Sequence, residues 1–378
     1  MSASCGVSPA PIDVCIRGAG PVGAALALAL SRRGFSVALA GETARAAADL
    51  RAYALNAASV ALLRELRVWE ALPPDACTPV QEMHIAGDAG GQLEFTAWQQ
   101  CVSELAWIVD AGALDEVLAQ ALRYAPHVEH LRGQATPKAA LLAVCEGRDS
   151  ATRAALGARF EQQAYSHHAV AARLVSDRPH DNVAWQWFRH PDVLALLPFD
   201  RPETGHAFGL VWSQPAEQAQ ALVALDAAAF EDQLNTASGG AAGHLRLASE
   251  RAAWPLVTGR AAPWCGDGWV LLGDAAHAVH PLAGQGLNLG LADAACLARV
   301  LAEARRSTPW RPAGDARTLR RYARERAAPT WAMNGMVDGL WQLFAREDAP
   351  LAALRNRGMS LVNRAAPLKR WLAQQALG

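Results

Sequence analysis

The chain has 378 residues, 35 Lys and Arg against 36 Asp and Glu, and a formal net charge of -1. At roughly 100–200 residues per domain this length suggests two domains, and so balanced a charge gives no reason to expect nucleic acid as a partner. The longest apolar run, around residues 22–30, reaches about half of the roughly 20 residues a membrane span needs, and seven scattered cysteines without a CxxC pair exclude a disulfide framework.

In chain order, residues 12–16 read as a buried strand, 24–33 as an apolar helix and 35–39 as a second strand, a βαβ unit of the kind that builds parallel sheets. Residues 57–72 have helical spacing, 83–96 alternate about a Gly-rich turn as a hairpin does, 114–124 are helical, and 141–145 form a buried strand. From about residue 164 to 256 alternation dominates, at 168–175, 184–188 and 208–212, with one helix near 225–236. A strand at 269–273 and a small-residue helix after Gly286 restore the first texture, and residues 319–378 are mostly helical. The fold class is α/β (α+β), a Rossmann-like domain interleaved with an antiparallel sheet and followed by a helical region. The first ten residues lack a basic segment and an apolar core, so a cytoplasmic location is expected.

Gly18-Ala19-Gly20-Pro21-Val22-Gly23 fits the GxGxxG turn. Its first glycine permits a tight turn, its second lets a pyrophosphate approach the backbone, and its third lets helix and strand pack closely. The helix that follows offers unpaired N–H groups and the positive end of its dipole. The acid expected at the end of the second strand is displaced, with Gly41 in its place and Glu42 one position late. A carboxylate at Gly41 is therefore expected to tighten cofactor binding. Farther on, a strand delivers Gly273-Asp274 at its carboxyl end, and the Gly-rich run through Pro281, Gly284 and Gly286 opens a helix at Leu287 and Asn288. A helix N-terminus there would stabilise negative charge on a reduced flavin. His277 and His280 stand three apart, but without a third ligand no metal is expected. No nucleophile-elbow pattern is present, which argues against a hydrolase.

Residues 273–290, GDAAHAVHPLAGQGLNLG, closely resemble the second FAD fingerprint of the flavin-dependent aromatic hydroxylases, and among them the ubiquinone-biosynthesis hydroxylases. Residues 49–59 with Trp69, residues 168–170 with Trp185-Gln186-Trp187-Phe188, and the tail 354–378 resemble the same branch. The resemblance implies the fold of para-hydroxybenzoate hydroxylase. By that analogy 1–78, 105–160 and 262–310 form a discontinuous FAD-binding domain, 79–104 and 161–261 a substrate domain, and 311–378 a C-terminal helical region. It implies ring hydroxylation of a polyprenylated phenol in ubiquinone biosynthesis, through a flavin C4a-hydroperoxide, with FAD resident and NAD(P)H and O2 as co-substrates. No second dinucleotide fingerprint is present, so NAD(P)H would bind transiently.

Carried over by motif, Gly18, Gly20, Gly23 and Arg51 would hold the diphosphate, Glu42 would approach the ribose, and Asp274 would bond the ribitol. Pro281, Gly284, Gly286, Leu287 and Asn288 would line the flavin ring. Of these, Pro281, Gly284 and Gly286 would position it for catalysis, with no side-chain base assigned. A prenyl tail would bring the protein to the inner face of the membrane or into a quinone-biosynthesis complex. Arg317, Arg320, Arg321 and Arg324 share one helical face suited to such contact, and Trp331, Met333, Met336, Trp341 and Phe344 make an apolar stripe.

Three further departures from the family pattern stand out. Glu146 replaces the Asp of an otherwise matching motif that ends in Ser150 and Arg153, Ala111-Gly112 replaces polar residues, and 127–141 is too short for the usual three-stranded meander. These changes predict weakened FAD binding. They also keep two alternatives open: a hydroxylase of a smaller soluble aromatic, and a weakly active or inactive paralogue acting as a scaffold.

Overall fold

Strand β1 (Ile12–Arg17) is apolar at its centre and pairs in parallel with β2 (Val37–Ala40) on one side and β9 (Ala139–Val144) on the other. This computed structural model describes residues 12–41, 49–88, 90–131, 137–279 and 285–344. The sheet extends through β8 (Val128–Leu131) beside β2 and β17 (Trp269–Leu271) beside β9, with the short β16 (Cys265–Gly266) antiparallel at the edge. Its order, β16-β17-β9-β1-β2-β8, sends the chain away from β1 in both directions. The crevice outside the carboxyl ends of β1 and β9 is where open α/β sheets take ligands.

Helices α1 (Pro21–Ser31), α4 (Ala111–Arg123) and α8 (Gln285–Ser307) share one core with the strands, including Leu26, Leu30, Leu114, Leu118 and Leu297. Helix α2 (Ala57–Glu65) joins that core through Val60 and Leu63. It is shorter than the spacing predicts, because Arg67 turns to φ 58 and a 3-10 turn at Trp69–Ala71 follows. A small antiparallel sheet, β3 (Ala52–Leu55), β7 (Ala106–Asp110) and β4 (Cys77–Val80), stands between the two larger ones.

The third sheet is built on β10 (Arg159–Ser176), with β13 (Ala207–Pro215), β12 (Asp192–Phe199), β11 (Val183–Arg189), β5 (Glu82–Gly87) and β6 (Gln92–Thr96) following on one side. On the other lie β15 (Ala252–Ala262) and β18 (His277–Ala278), while β14 (Leu245–Leu247) pairs with the end of β10. One face buries Val170, Leu174, Leu194, Leu210 and Trp212 against α7 (Ala227–Ser238) and α6 (Ala216–Ala224), a helix the sequence reading missed. Toward the other face Phe199 and Ala184 cluster with Val80 and Ile108 of the small sheet. Short helices α3 (Ala97–Gln100) and α5 (Ala151–Ala155) fill connections, and α9 (Ala316–Phe344) crosses α8. Among the described residues of 127–141 only β8 and the start of β9 are regular. Glu42, His280, Pro281, Gly284, the tail 354–378 and the side chains of Met333, Met336, Trp341 and Phe344 lie outside what is described.

Candidate active site

The first glycine turn is shaped by close backbone contacts. Gly18 has φ 103, and a Cβ there would stand 2.3 Å from the Cys145 carbonyl oxygen. A Cβ on Gly23 would stand 1.9 Å from the Gly18 carbonyl oxygen, so strand and helix touch through these two residues. Gly20 differs. It caps α1 in extended backbone (φ -69, ψ -179), has no side chain to occupy the first-turn N–H groups, and a Cβ there would meet nothing within 4 Å. That open ground over a helix N-terminus fits a diphosphate.

Gly41, at the end of β2, closes the turn from the other side. Its φ is 136, and a Cβ would lie 3.0 Å from the Ala19 nitrogen. The expected benefit of a carboxylate here is therefore overturned, because a side chain is strained before it can reach a ribose.

The second segment meets the first at Val22. Cβ atoms built on Gly273 and Gly290 would stand 3.3 and 2.5 Å from its Cγ2 atom. Beneath this contact lies a network the sequence did not announce. Asp293 on α8 is fully buried and accepts from the Gly273 N–H at 3.0 Å, His277 Nε2 at 2.6 Å and Arg326 Nε at 2.6 Å. Burial pushes the Asp293 carboxyl up, but His277 and Arg326 outweigh it and hold the group below its ordinary value. Tyr322 donates to the Leu271 carbonyl at 3.1 Å, and Arg153 donates to that of Ala275 at 3.2 Å. The segment from Leu271 to His277 is thus pinned from three helices. Glu146, the unexpected acid, accepts from Arg17 at 2.7 Å, Ser150 at 2.7 Å and the Thr152 hydroxyl at 2.8 Å. Despite its burial, these bonds keep it ionised below its ordinary value.

Asp274 stays exposed, and a Cβ on Gly286 would lie 3.9 Å from its Oδ1, so these two predicted residues come together. The packed surroundings desolvate its carboxyl and raise it, with His277, Arg148 and Arg51 pulling back. Gly286 and Leu287, partly exposed, occupy the first turn of α8. Asn288 is buried instead. It accepts from the Asn56 N–H at 3.0 Å and the Ser59 hydroxyl at 2.7 Å, and donates to the Ala54 carbonyl at 2.8 Å. Its side chain ties α8 to β3 and α2. Arg51 grips Asp49 through Nε and its NH2 group, at 2.9 and 2.5 Å, and leans over Tyr53, 5.8 Å from the ring centroid.

The helix-free side of the large sheet is tied to Arg51 and Asp110. Ala171, Val211 and Ala195 lie side by side across β10, β13 and β12. In the next row Arg173 donates to the Arg51 carbonyl at 2.9 Å and to Asp110 at 3.2 Å, which turns this face toward the parallel sheet's body. The small residues of this wall carry no charge of their own.

The FAD binding domain family matches residues 11–127 and 115–335. The chain is 30% identical to 3-demethoxyubiquinol 3-hydroxylase of Escherichia coli (strain K12), over 97% of this chain and 99% of that one. It is 29% identical to ubiquinone hydroxylase UbiL of Rhodospirillum rubrum, over 97% and 89%. Among solved structures it matches p-nitrophenol 4-monooxygenase PnpA from Pseudomonas putida DLL-E4 with TM-score 0.76 and 18% identity, over 97% and 98%. PqsL from Pseudomonas aeruginosa, a probable FAD-dependent monooxygenase, matches with TM-score 0.73 and 20% identity, over 91% and 99%. With the first glycine turn described and the Gly273 and Gly286 segments brought beside it, the chain belongs to the FAD-binding family of flavin-dependent aromatic hydroxylases, in the branch of the ubiquinone-biosynthesis hydroxylases.

Proposed function

We propose that this protein is an FAD-dependent monooxygenase that hydroxylates the ring of a polyprenylated phenol in ubiquinone formation, using NAD(P)H and O2. The observation that carries this reading is the meeting of the two glycine segments at Val22, with the small-residue face of the large sheet tied to Arg51 through Arg173. FAD, when bound, supplies the oxygen chemistry, so the chain's own task is to bind, orient and keep water out. We place Gly18, Gly20, Gly23 and Arg51 at the diphosphate, Asp274 at the ribitol, and the first-turn N–H groups of Gly286 and Leu287 at the ring. Asn288 supports that turn from below. Residues 1–78, 105–160 and 262–310 serve as the cofactor body and 79–104 with 161–261 as the substrate cover, followed by 311–378.

An uncharged wall of Ala171, Ala195 and Val211 suits an uncharged aromatic ring, whose burial is favoured by area alone. The described residues contain no helix long and apolar enough to cross a membrane. We therefore assign access to a bilayer-held substrate to peripheral contact through the exposed Arg317, Arg320 and Arg324. The purified protein should be yellow and should insert one oxygen atom from isotope-labelled O2 into a short-chain prenylphenol when NADH or NADPH is supplied. A flavin-free protein, or reduced nicotinamide consumed without oxygenated product, would overturn the reading.

A further inference from the structure

The cleft at the N-terminus of α1 has a wall the sequence motifs do not mention. It is lined by Ala19, Gly20, Pro21 and Ala24 on one side and by Asp115, Leu118 and Ala119 of α4 on the other. Asp115 is half-buried, and among the described residues none donates a hydrogen bond to it. A carboxylate therefore faces the same helix end that offers its N–H groups to a diphosphate. Two anions at one helix terminus compete for one set of donors and repel each other across a partly dry cleft.

We propose that Asp115 sets the affinity for FAD through its proton: neutral, it donates to or tolerates the diphosphate, and ionised, it opposes it. The proposal rests on the FAD reading above and adds to it a residue that reads the pH. Burial already lifts the Asp115 carboxyl to about 6, while Arg51 pulls it down and Asp49 pushes it up. The charged groups that act on it across the cleft are Arg51 and Asp49. Arg51 is held charged by Asp49, and burial raises the Tyr53 phenol to about 12. Asp49 is held ionised by Arg51, and the α1 wall from Ala19 to Ala24 carries no charged side chain. On its own helix, Asp110 serves as the cap and pairs with Arg173, while Glu116 points to solvent.

The sign follows from linkage. A bound diphosphate raises the carboxyl further, so FAD binding takes up a proton between the free value near 6 and the higher bound value. Affinity is then greatest below about pH 6 and falls as pH rises, by tenfold for each unit of that upshift.

The test is FAD titration of the stripped full-length chain, followed by flavin fluorescence and by calorimetry in buffers of different ionisation enthalpy. For the natural chain the dissociation constant should rise at least fivefold from about pH 5.5 to 7.5, with proton uptake at neutral pH. Asp115→Asn, which keeps the shape and a donor, should hold the acid-side affinity throughout and take up no proton. Asp115→Ser serves the same purpose if the amide variant melts early. An unchanged pH profile in either variant, or weaker binding at every pH, overturns the proposal while leaving the FAD assignment standing. Absence of FAD binding by the natural chain at any pH would instead sink the functional reading itself.

Discussion

Gly20 is the residue where cofactor binding and folding separate most cleanly. Its backbone is one that any residue adopts, and the space beyond its α-carbon is open. Gly20→Val should therefore cost about 1 kcal/mol in stability through a poorer helix cap, yet lose flavin affinity by at least tenfold, as chemical denaturation and fluorescence titration would show. Gly41 behaves in the opposite way. Gly41→Glu places a side chain at φ 136, 3.0 Å from a backbone nitrogen, and should destabilise the fold by about 1–3 kcal/mol without tightening FAD. Asp293 governs acid stability. Its native carboxyl is held below the unfolded value, so it contributes stability above about pH 4 that disappears as pH falls through the lower native value. In the melting temperature measured against pH, Asp293→Asn should flatten that acid limb and lower the neutral plateau, by about 3–5 kcal/mol for a broken buried pair.

At the scale of elements, α9 carries the clearest experimental handle. Arg317, Arg320 and Arg324 are exposed, whereas Arg321 is engaged by Glu303 and Glu325. Replacing the first three by Gln should reduce sedimentation with vesicles rich in anionic lipid and leave binding to neutral vesicles unchanged. Replacing Arg321 should change neither binding, because its charge is already met by Glu303 and Glu325. How far such elements were legible depends on the range of the forces that define them. The βαβ unit and the β5–β6 hairpin are local, fixed by glycine and by alternation, and the sequence places them within a few residues. The Asp293 network draws on partners 16 to 33 positions from it, on a strand and a second helix, and Asp293 itself looks in sequence like an acid on an ordinary helix. Asn288 shows the same limit within a correctly read motif. The motif says that the residue matters, while its bonds to positions more than 200 residues away say what it holds. Asp115 gave no signal, since helical spacing does not tell which side chain faces a cleft built by another helix.

Over the whole molecule, bound cofactor should act as a structural member. FAD at 100 times its dissociation constant should stabilise the chain by about 2.7 kcal/mol, seen as a melting temperature that climbs with added FAD. Arg173, Asp110 and the Arg51 carbonyl join the large sheet to the body that would hold the cofactor, so heat should unfold both together rather than in sequence. One small strand reaches further. His277 and Ala278 pair with Arg260 and Gly259 at the rim of the large sheet, only a few residues after β17 leaves the parallel one. The ligand-facing segment is therefore stitched to both sheets within a single turn of chain. For anyone recombining this protein with a relative, the seam between modules cannot be cut there. A chimera exchanging only 161–261 would mate a foreign β15 to the native β18, and it should recover flavin retention only when residues 269–279 travel with the graft.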